Sequence, residues 1–509
     1  MQGSKNYHGL LAIILALTVV AQGATLVQTG KVSTKMATVL LPNSSPIVSF
    51  RLLFNVGSAS DPKGKEGVAA LTANMISDGG SKLLSYAQIV EAMYPMASGF
   101  GSQVDKEMTV FSGQTHVDNL QKYYDIISGM LLDPGWREED FTRIREDSIN
   151  FLKVNLRGNN DEELGKEALY NLIYEGHPYG HHNTGTVESL QKLSLDDIKN
   201  FYRENYTRAN LVVGLAGGYP KGFDEKIEAE FAAKLPAGQP RKLTLPQPEK
   251  INKLEMEIIE KDTMGTALSF GFPIPVTRAD ADWPALLLVQ SYFGQHRSSN
   301  SYLYQRLRQI RGLNYGDYAY IEYFPRGMFQ FHPDPNLARQ QQIFQVWIRP
   351  VEPKNGLFTL RAAMYELDKL SKNGMSKEDF EATKQFLSKF VNVLTKAQDQ
   401  QLGYAIDSRH YGIPTFTDYV RGKLEKLTLE DVNRVIKKYL QANNVKIVVV
   451  TKDAEAFRSA AIENKPSPIS YTSPPPKEIL EEDKLIEKFK LDFDPKAVEV
   501  VPVAQIFQK

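Results

Sequence analysis

Three histidines within six residues, His177, His181 and His182, are the side chains whose types and spacing most readily suggest a metal site. Imidazole is a common zinc ligand, and a catalytic zinc site needs three protein ligands and one open position. Pro178 and Gly180, however, prevent the regular helix that would align His177 with His181, and no carboxylate is obvious beside them. The pattern therefore favours a structural turn without metal. A zinc site formed by these histidines is the alternative.

A second constellation lies in the stretch from Gly57 to Gly80, which reads GSASDPKGKEGVAALTANMISDGG. This stretch resembles the opening helix of the insulinase-like (M16, pitrilysin) metallopeptidases, in which H-x-x-E-H supplies two zinc-binding histidines and a glutamate base. Here the corresponding positions are Ala70, Ala73 and Asn74. Alanine has no lone pair, and one neutral amide does not make a catalytic zinc site. The resemblance therefore implies the family's scaffold without its zinc.

The same resemblance implies a third zinc ligand, a glutamate that follows further along the family's chain. Counting along the sequence places this position at Asn150 or within a residue or two of it, and the letters INFL at 149–152 contain no carboxylate. Glu146 and Asp147 lie one helical turn earlier. We therefore expect Asn150 to be a further degenerate position, and we expect no metal or other cofactor on this chain.

The other family signature lies in the segment Tyr302–Tyr315, with the letters YLYQRLRQIRGLNY. In the family a helix ends in L-R-x-x-x-G-L-x-Y or a close variant, and Arg308, Gly312 and Tyr315 fall in that register here. Gly312 also suits a helix C-cap, with arginines near the negative end of the dipole. The family's arginine and tyrosine point into the active-site chamber. The resemblance thus implies that Arg308 and Tyr315 contact the substrate backbone and the oxyanion.

A stretch rich in glycine and serine after the first helices is predicted to form the edge of a sheet. In the family the corresponding segment receives extended substrate as an added strand. The stretch lacks a phosphate-loop lysine, and the sequence contains no G-x-S-x-G nucleophile elbow. Its residues are Ala97, Ser98, Gly99, Phe100, Gly101, Ser102 and Gln103.

The composition is that of a folded soluble protein. Of the 509 residues, 42% are hydrophobic and 24% are charged, and 60 basic side chains balance 60 acidic ones. This balance does not point to a nucleic acid or a membrane surface as partner. Because the chain has no cysteine, disulfide frameworks, thiolate metal sites and cysteine nucleophiles are excluded.

The N-terminus predicts export. Lys5 precedes the apolar run Leu10–Val20, and a small-x-small sequence, Ala21-Gln22-Gly23, follows it. These features are typical of a secretory signal peptide at 1–23, whereas a mitochondrial presequence would be rich in arginine. The predicted location is the periplasm, with no membrane attachment after cleavage. An uncleaved N-terminal anchor is the alternative.

The sequence repeats itself. The letters LSLDDI at 193–198 and the apolar run after Asn210 recur about 233 residues later as LTLEDV at 427–432 and the run after Asn443. A Ser or Thr before Leu-Asp/Glu-Asp predicts a helix N-cap, and each apolar run predicts a buried strand. We therefore predict two tandem homologous α+β domains of the insulinase-like α/β sandwich type, each an antiparallel-rich sheet packed with helices.

Further patterns set the expected organisation. Leu164-Gly165 recurs as Leu402-Gly403, and residues 38–41 and 47–55 predict the two arms of a hairpin. The tail after residue 455 is interpreted as a surface-wrapping extension, with an arm that clasps a partner subunit as the alternative. The predicted boundaries are 1–23 for the signal peptide, 31–235 for the N-terminal domain, 236–250 for a linker, 251–455 for the C-terminal domain and 456–509 for the C-terminal extension.

The family resemblance also implies a function. In its bacterial two-chain members, one subunit carries H-x-x-E-H and the other carries the arginine and tyrosine. The sequence therefore resembles a non-zinc-binding subunit, inactive alone, that completes the peptide-hydrolysing site of a zinc-binding partner. The alternative is a structural or peptide-binding homologue without a role in catalysis. The substrate-receiving subunit of the mitochondrial processing peptidase is disfavoured, because its glycine-rich loop should precede Tyr302 and residues 293–300 contain one glycine.

Overall fold

A computed structural model describes residues 36–471, 473 and 475–509, so the predicted signal peptide at 1–23 lies outside the described residues. The strands are β1 Ala37–Pro42, β2 Ile47–Phe54, β3 Gly99–Val104, β4 Thr109–His116, β5 Leu211–Gly217, β6 Glu255–Glu260, β7 Thr266–Ile274, β8 Asp317–Tyr320, β9 Gln342–Val351, β10 Lys446–Thr451 and β11 Val498–Pro502. In these ranges no helix has the length and apolar character that a membrane span requires.

The helices alternate with these strands, and two π-helical turns, Phe151–Leu156 and Tyr304–Gln309, accompany them. The α-helices are α1 Val68–Asp78, α2 Tyr86–Met93, α3 Leu120–Leu132, α4 Glu138–Asn150, α5 Asp161–Ile173, α6 Val187–Lys192, α7 Leu195–Asn205, α8 Phe223–Lys234, α9 Trp283–Gly294, α10 Gly356–Asn373, α11 Lys377–Leu394, α12 Gln398–Tyr411, α13 Phe416–Lys426, α14 Leu429–Tyr439, α15 Ala454–Ile462 and α16 Lys477–Ile486.

The strands form two sheets with the same topology. The five-stranded sheet has the order β1-β5-β2-β4-β3, and the six-stranded sheet has the order β11-β6-β10-β7-β9-β8. When β6 to β10 are matched with β1 to β5, the two orders coincide, and β11 is an additional strand. In each sheet the first matched pair is parallel and the pairs after it are antiparallel. The prediction of two tandem α+β domains with antiparallel-rich sheets is confirmed.

The predicted hairpin of β1 and β2 is wrong. Both strands lie near their expected positions, but β5 lies between them, parallel to β1 and antiparallel to β2. Every residue of β5, LVVGLAG, is buried. A strand that is apolar along its whole length needs packing on both faces and a neighbour on each edge. It therefore takes the interior position that separates the two strands next to each other in sequence.

The repeated letters mark equivalent helices in the two domains. Ser194 and Thr428 cap α7 and α14, and in each capping box the side chain of Asp197 or Asp431 completes the reciprocal hydrogen bonds. The predicted N-caps are therefore confirmed.

A second repeat marks the two helices that cross between the domains. Leu164-Gly165 lies in α5, which packs on β7, β9 and β10 of the second sheet, and Leu402-Gly403 lies in α12, which packs on β1, β2 and β5 of the first. A Cβ at Gly403 would come within 2.3 Å of the Pro335 ring, so the glycine permits this close approach. Each domain therefore covers the sheet of the other with one of its own helices.

Two buried arginines add polar contacts between the domains. Arg339 donates from Nε to Asp105 Oδ2 at 2.7 Å, and its guanidinium carbon lies 3.9 Å from the centre of the Tyr323 ring. Arg51 of β2 donates to Asn336 Oδ1 and to the carbonyl oxygen of Asp399, both at 3.0 Å. Because a buried charge without a partner is costly, removing one member of either pair should destabilise the contact between the domains.

The C-terminal extension contacts both domains. Its strand β11 pairs in parallel with β6 at the edge of the second sheet. Further along, the carbonyl oxygens of Phe507 and Gln508 accept hydrogen bonds from the backbone N–H groups of Val187 and Glu188 in the first domain, both at 3.0 Å. The described part of the extension therefore wraps around its own chain.

Candidate functional site

Helix α1 carries the degenerate motif positions. Asp61 caps it, because its carboxylate oxygens accept from the backbone N–H groups of Gly67 at 2.6 Å and Ala69 at 3.0 Å. Gly67 has a φ of 98°, and a Cβ there would meet a backbone carbonyl oxygen at 2.4 Å, so the entry to the helix requires glycine. Ala70 is 8% exposed and Ala73 is fully buried. Both alanines are therefore packing residues of the first domain.

Asn74 has the polar side chain of the degenerate motif. Its Oδ1 accepts a hydrogen bond from Ser102 Oγ on β3 at 3.2 Å, and Ser102 Oγ lies 3.1 Å from Ser77 Oγ. The amide oxygen is thus already engaged within the chain. The motif does not fit a zinc ion, and among the residues described no group of three His, Asp or Glu side chains is arranged to hold a metal.

A cleft of about 500 Å³ opens beside Asn74. Its opposite wall is one face of α4 and of the π-helical turn after it, with the side chains of Ile144, Asp147, Ser148 and Phe151. These positions follow the spacing of a single helix face. Asn150 lies off that face, is exposed and does not line the cleft. Asp147, Ser148 and Phe151 line this wall of the cleft, and Ser148 and Phe151 fall within the two residues on either side of Asn150 that the sequence count allowed.

The cleft continues into a groove of about 690 Å³ between the two domains, and both are lined by Ser102, Phe151, Thr184 and Arg326. Residues 101–104 of β3 form one side of the groove, and side chains from the segment 325–337 form the other. Because β3 is the last strand of its sheet, the backbone groups along its outer edge pair with no further strand of the described chain. The groove is therefore open along a strand edge.

The residues assigned to this edge divide into two sets. Gly99 to Gln103 lie in β3, whereas Ala97 and Ser98 precede it. Ala97 has a φ of 48°, and Ser98 Oγ donates to Thr115 Oγ1 at 2.8 Å, which fixes the turn into the strand. The part of the predicted segment that borders the groove is Gly101 to Gln103.

Arg308 and Tyr315 are in contact at the surface of the second domain. Arg308 lies in the π-helical turn, and the N–H of Gly312, at a φ of 64°, donates to the Arg308 carbonyl oxygen at 3.0 Å and ends the helix. The guanidinium carbon of Arg308 lies 5.2 Å from the centre of the Tyr315 ring, which is a cation–π arrangement. Tyr315 is 74% exposed. Tyr315 therefore lies at the surface, and the partly buried Arg308 packs against its ring.

The two arginines nearest to Arg308 are held in ion pairs, whereas Arg308 is not. Arg306 Nε donates to Glu366 Oε1 at 2.7 Å, and Arg311 Nε donates to Asp483 Oδ1 at 2.8 Å. Across the described ranges, no carboxylate oxygen lies within 4.0 Å of the Arg308 guanidinium. Among the described residues, Arg308 therefore differs from Arg306 and Arg311 in having no ion-pair partner.

A buried polar pair supports the turn between Arg308 and β8. Asn314 Nδ2 donates to Asp317 Oδ1 at 2.7 Å and to the Arg349 carbonyl oxygen at 3.2 Å. Asp317 is fully buried, and burial raises its pKa to about 8, although the hydrogen bond from Asn314 and the positive charge of Arg308 act in the opposite direction. At neutral pH the carboxyl group of Asp317 is therefore mostly protonated.

The histidine turn does not assemble a metal site. His177 Nε2 lies 3.0 Å from the Pro246 carbonyl oxygen, and His181 Nε2 lies 3.2 Å from Asp61 Oδ2, the carboxylate that caps α1. His182 Nδ1 accepts from a backbone N–H at 3.0 Å, and burial lowers its pKa to about 3. The three imidazoles thus have three different partners, and they tie the turn to the linker and to the first helix.

The described chain keeps its two family signatures apart. The segment with Arg308 packs on α10 and β8 of the second domain, and neither Arg308 nor Tyr315 lines the cleft or the groove beside α1. One copy of the chain thus offers a positive charge and a phenol on one surface and a strand edge on another. Glu163, Glu167 and His182 are among the side chains that line the groove, but within the described residues they form no group of three that could hold a metal ion.

Comparison with known proteins agrees with this geometry. Residues 38–187 match the family model of insulinase, peptidase family M16, and residues 192–387 match the model of the peptidase M16 inactive domain. A Helicobacter pylori protein described as a non-peptidase homolog is 21% identical over 80% of this chain and 89% of its own length.

Solved structures share the fold. The peptidase M16 inactive domain from Pseudomonas fluorescens superimposes with a TM-score of 0.72 at 22% identity, over 82% of this chain and 96% of that one. The periplasmic protease PqqL of Escherichia coli superimposes with a TM-score of 0.64 at 14% identity, over 91% of this chain and 50% of PqqL. With both family models matched in chain order and both sheets present, the chain belongs to the M16, or insulinase, family of peptidases.

Proposed function

We propose that this chain is the non-catalytic subunit of a heteromeric zinc metallopeptidase, in which it contributes Arg308 and Tyr315 to a composite peptide-hydrolysing site. The observation that carries the proposal is the contrast among three neighbouring arginines. Arg306 and Arg311 are neutralised by carboxylates of this chain, whereas Arg308 is stacked on an exposed tyrosine with no acidic partner in the described residues. A guanidinium without an acidic partner in its own chain is suited to bind a ligand from outside the chain.

The two side chains suit the backbone of a bound peptide. A guanidinium provides fixed donors and a permanent positive charge, and a phenol provides one further donor. Donors of this kind stabilise the negative charge that develops on a carbonyl oxygen during hydrolysis. Zinc and the general base would belong to the partner, since Ala70, Ala73 and Asn74 supply neither.

The proposed complex is periplasmic. The predicted signal peptide at 1–23 supports export, and the similarity of fold to a periplasmic protease is in keeping with that location. The partner would be a second M16 chain with an intact H-x-x-E-H motif, and the substrate would be a peptide.

The test mixes the purified chain with an H-x-x-E-H chain from the same genome and follows cleavage of a fluorogenic peptide pool. We expect neither chain to cleave alone and the mixture to be active. Arg308→Ala should lower kcat roughly 10²-fold or more, and Tyr315→Phe about tenfold. Arg421→Ala and Tyr94→Phe change an exposed arginine and an exposed tyrosine elsewhere and should have no effect. Full activity of the Arg308→Ala mixture would contradict the proposal.

A second candidate function is peptide binding without catalysis, which the groove along the β3 edge favours. A strand edge beside a groove of about 690 Å³ can accept an extended peptide through main-chain hydrogen bonds. Titration of the isolated chain with the same peptide pool distinguishes the two functions. Binding by the isolated chain, together with an inert Arg308→Ala substitution in the mixture, would favour this candidate. Stoichiometric zinc in the isolated chain would instead favour the histidine turn as a metal site.

A further inference from the structure

The C-terminal extension reaches the helix that carries Arg308. Its helix α16 packs against α10, and the π-helical turn with Arg308 packs against the same helix. Two consecutive acidic residues of α16, Glu482 and Asp483, contact the arginines on either side of Arg308. The extension therefore contacts the segment that contains Arg308 and Tyr315, the two residues of the proposed function.

Arg311 is the centre of this contact. Its guanidinium is fully buried and donates from Nε to Asp483 Oδ1 and from Nη2 to Glu482 Oε2, both at 2.8 Å. A third donor, Nη1, reaches the Arg306 carbonyl oxygen at 2.8 Å. One arginine thus joins α16 to both ends of the turn. Because the charges are buried and paired, the geometry is specified more strictly than in a surface ion pair.

Arg306 makes the second contact. It pairs with Glu482 and with Glu366 of α10, and the Tyr302 hydroxyl donates to Glu366 Oε2 at 2.8 Å. Lys369 lies 3.4 Å from Glu482 Oε1 and adds a further positive charge. Glu482 is therefore shared by three cations, and its removal would loosen the turn and α10 together.

The π-helical geometry explains why Arg308 is left outside this network. In a π-helical turn the backbone bonds link residues five apart, and the N–H of Ile310 donates to the Gln305 carbonyl oxygen at 3.0 Å. Arg306 and Arg311 are also five apart, so the widened turn brings both to the side that faces α16. Arg308 lies between them in sequence and contacts Tyr315 instead.

The extension is itself anchored on both sides of α16. Buried Arg361 of α10 donates from Nη1 to the carbonyl oxygens of Lys465 and Glu487, both at 2.7 Å, and to Ser467 Oγ at 2.8 Å. Strand β11 then adds the extension to the second sheet. Glu482 and Asp483 are therefore held on a fixed element.

We propose that Glu482 and Asp483 are positioning residues that hold the segment 302–316 so that Arg308 and Tyr315 are presented together. In this proposal the C-terminal extension supports the site, because its acidic residues hold the segment that carries Arg308 and Tyr315. The effect on peptide cleavage rests on the proposed function. The effect on the order of the segment does not, so the two can be tested separately.

The first experiment measures hydrogen exchange in the isolated full chain. The double substitution Glu482→Gln and Asp483→Asn keeps the side-chain shapes and removes the charges. Amide exchange in residues 302–316 should become about tenfold faster, while exchange in the first sheet stays unchanged. The matched control is Glu478→Gln with Glu481→Gln, which removes two exposed charges from the same helix. Unchanged exchange in 302–316 would overturn the proposal.

The second experiment measures the reconstituted complex and uses the milder Glu482→Gln substitution in case the double variant unfolds. We expect kcat to fall by about tenfold with the partner Kd unchanged, because the surface is intact and only the presentation of Arg308 is disturbed. Faster exchange combined with an inert Arg308→Ala substitution would refute the proposed function and leave the positioning role standing. A lower melting temperature with uniformly faster exchange across both domains would refute the positioning role.

Discussion

Helix α1 and the segment Tyr302–Tyr315 are the two segments whose letters resemble motifs of the family, and they differ in what their side chains contact. In α1, Ala70 and Ala73 are packed against the domain and Asn74 is hydrogen-bonded to Ser102. In Tyr302–Tyr315 the partly buried Arg308 is stacked on the exposed Tyr315, over a turn held by buried polar contacts. The two alanines of the first region are thus buried within their own domain, whereas Tyr315 of the second region is exposed to solvent.

The largest expected effect is that of Ala73→Glu, which places a carboxylate at the position where the family motif has its glutamate. If the position is true packing, the new charge is buried without a partner. Unfolding in urea should then show a loss of roughly 4 kcal/mol or more. A loss of this size in the free energy of unfolding would mean that position 73 is packed too tightly to hold the family's glutamate.

The matched control is Ala87→Glu on the exposed face of α2, which adds the same side chain at a solvent-facing position. It should change the free energy of unfolding by less than about 0.5 kcal/mol. If Ala73→Glu cost as little as the control, the space around position 73 would still be open and polar. Helix α1 would then resemble an active site that has lost only its ligands, and the conclusion that Ala73 is a packing residue would be wrong.

A second prediction concerns the support beneath the exposed pair. Burial raises the pKa of Asp317 from its ordinary value of 3.8 to about 8. A carboxyl group with a raised pKa contributes stability that is complete below the unfolded value and is lost as the pH rises through the folded value. Between pH 5 and pH 8 the wild-type chain should therefore lose on the order of 3 kcal/mol relative to Asp317→Asn, which mimics the protonated acid.

Urea unfolding of the two chains at several pH values between 5 and 8 measures this difference. Asp492→Asn, at an exposed position, should give curves parallel to those of the wild type. If the Asp317→Asn and wild-type curves were also parallel, Asp317 would be ionised in the folded chain. The turn beneath Tyr315 would then be held by a charge rather than by a neutral pair.

The sequence predicted those parts of the fold that local or repeated letters encode. The capping boxes at Ser194 and Thr428 and the buried run of β5 follow from neighbouring residue types. The pairing of β1 with β2 was wrong, because the insertion of β5 depends on a strand more than one hundred residues away. Strand order is a property of the whole sheet, and short spacing alone favoured the hairpin.

The candidate site shows the same limit. Arg308 and Tyr315 share one short segment, and the resemblance of that segment to a family motif was enough to predict that they act together. Asp483, in contrast, holds the neighbouring Arg311 from the far end of the chain. No local sequence pattern links Arg311 with Asp483, and the sequence of α16 predicts only an acidic helix. An arginine within a run of apolar letters, such as Arg51 in IVSFRLLF, was the available signal of a buried pair, but it does not name the partner.

The smallest predicted effect concerns the hydrogen bond from Ser102 to the side chain of Asn74. Ser102→Ala removes the donor to Asn74 Oδ1 and should cost about 1 kcal/mol in urea unfolding, the ordinary contribution of a partly buried hydrogen bond. Ser112→Ala, on the neighbouring strand opposite Gly101, removes a hydroxyl with no such bond among the described residues and should cost less. Ser102→Ala also leaves the amide oxygen of Asn74 without the hydrogen bond from Ser102. If Ser102→Ala bound zinc where the wild type does not, that hydrogen bond would be what keeps metal out of the first region. If it does not bind zinc, the missing imidazoles are sufficient, and α1 differs from a zinc-binding helix through its side chains alone.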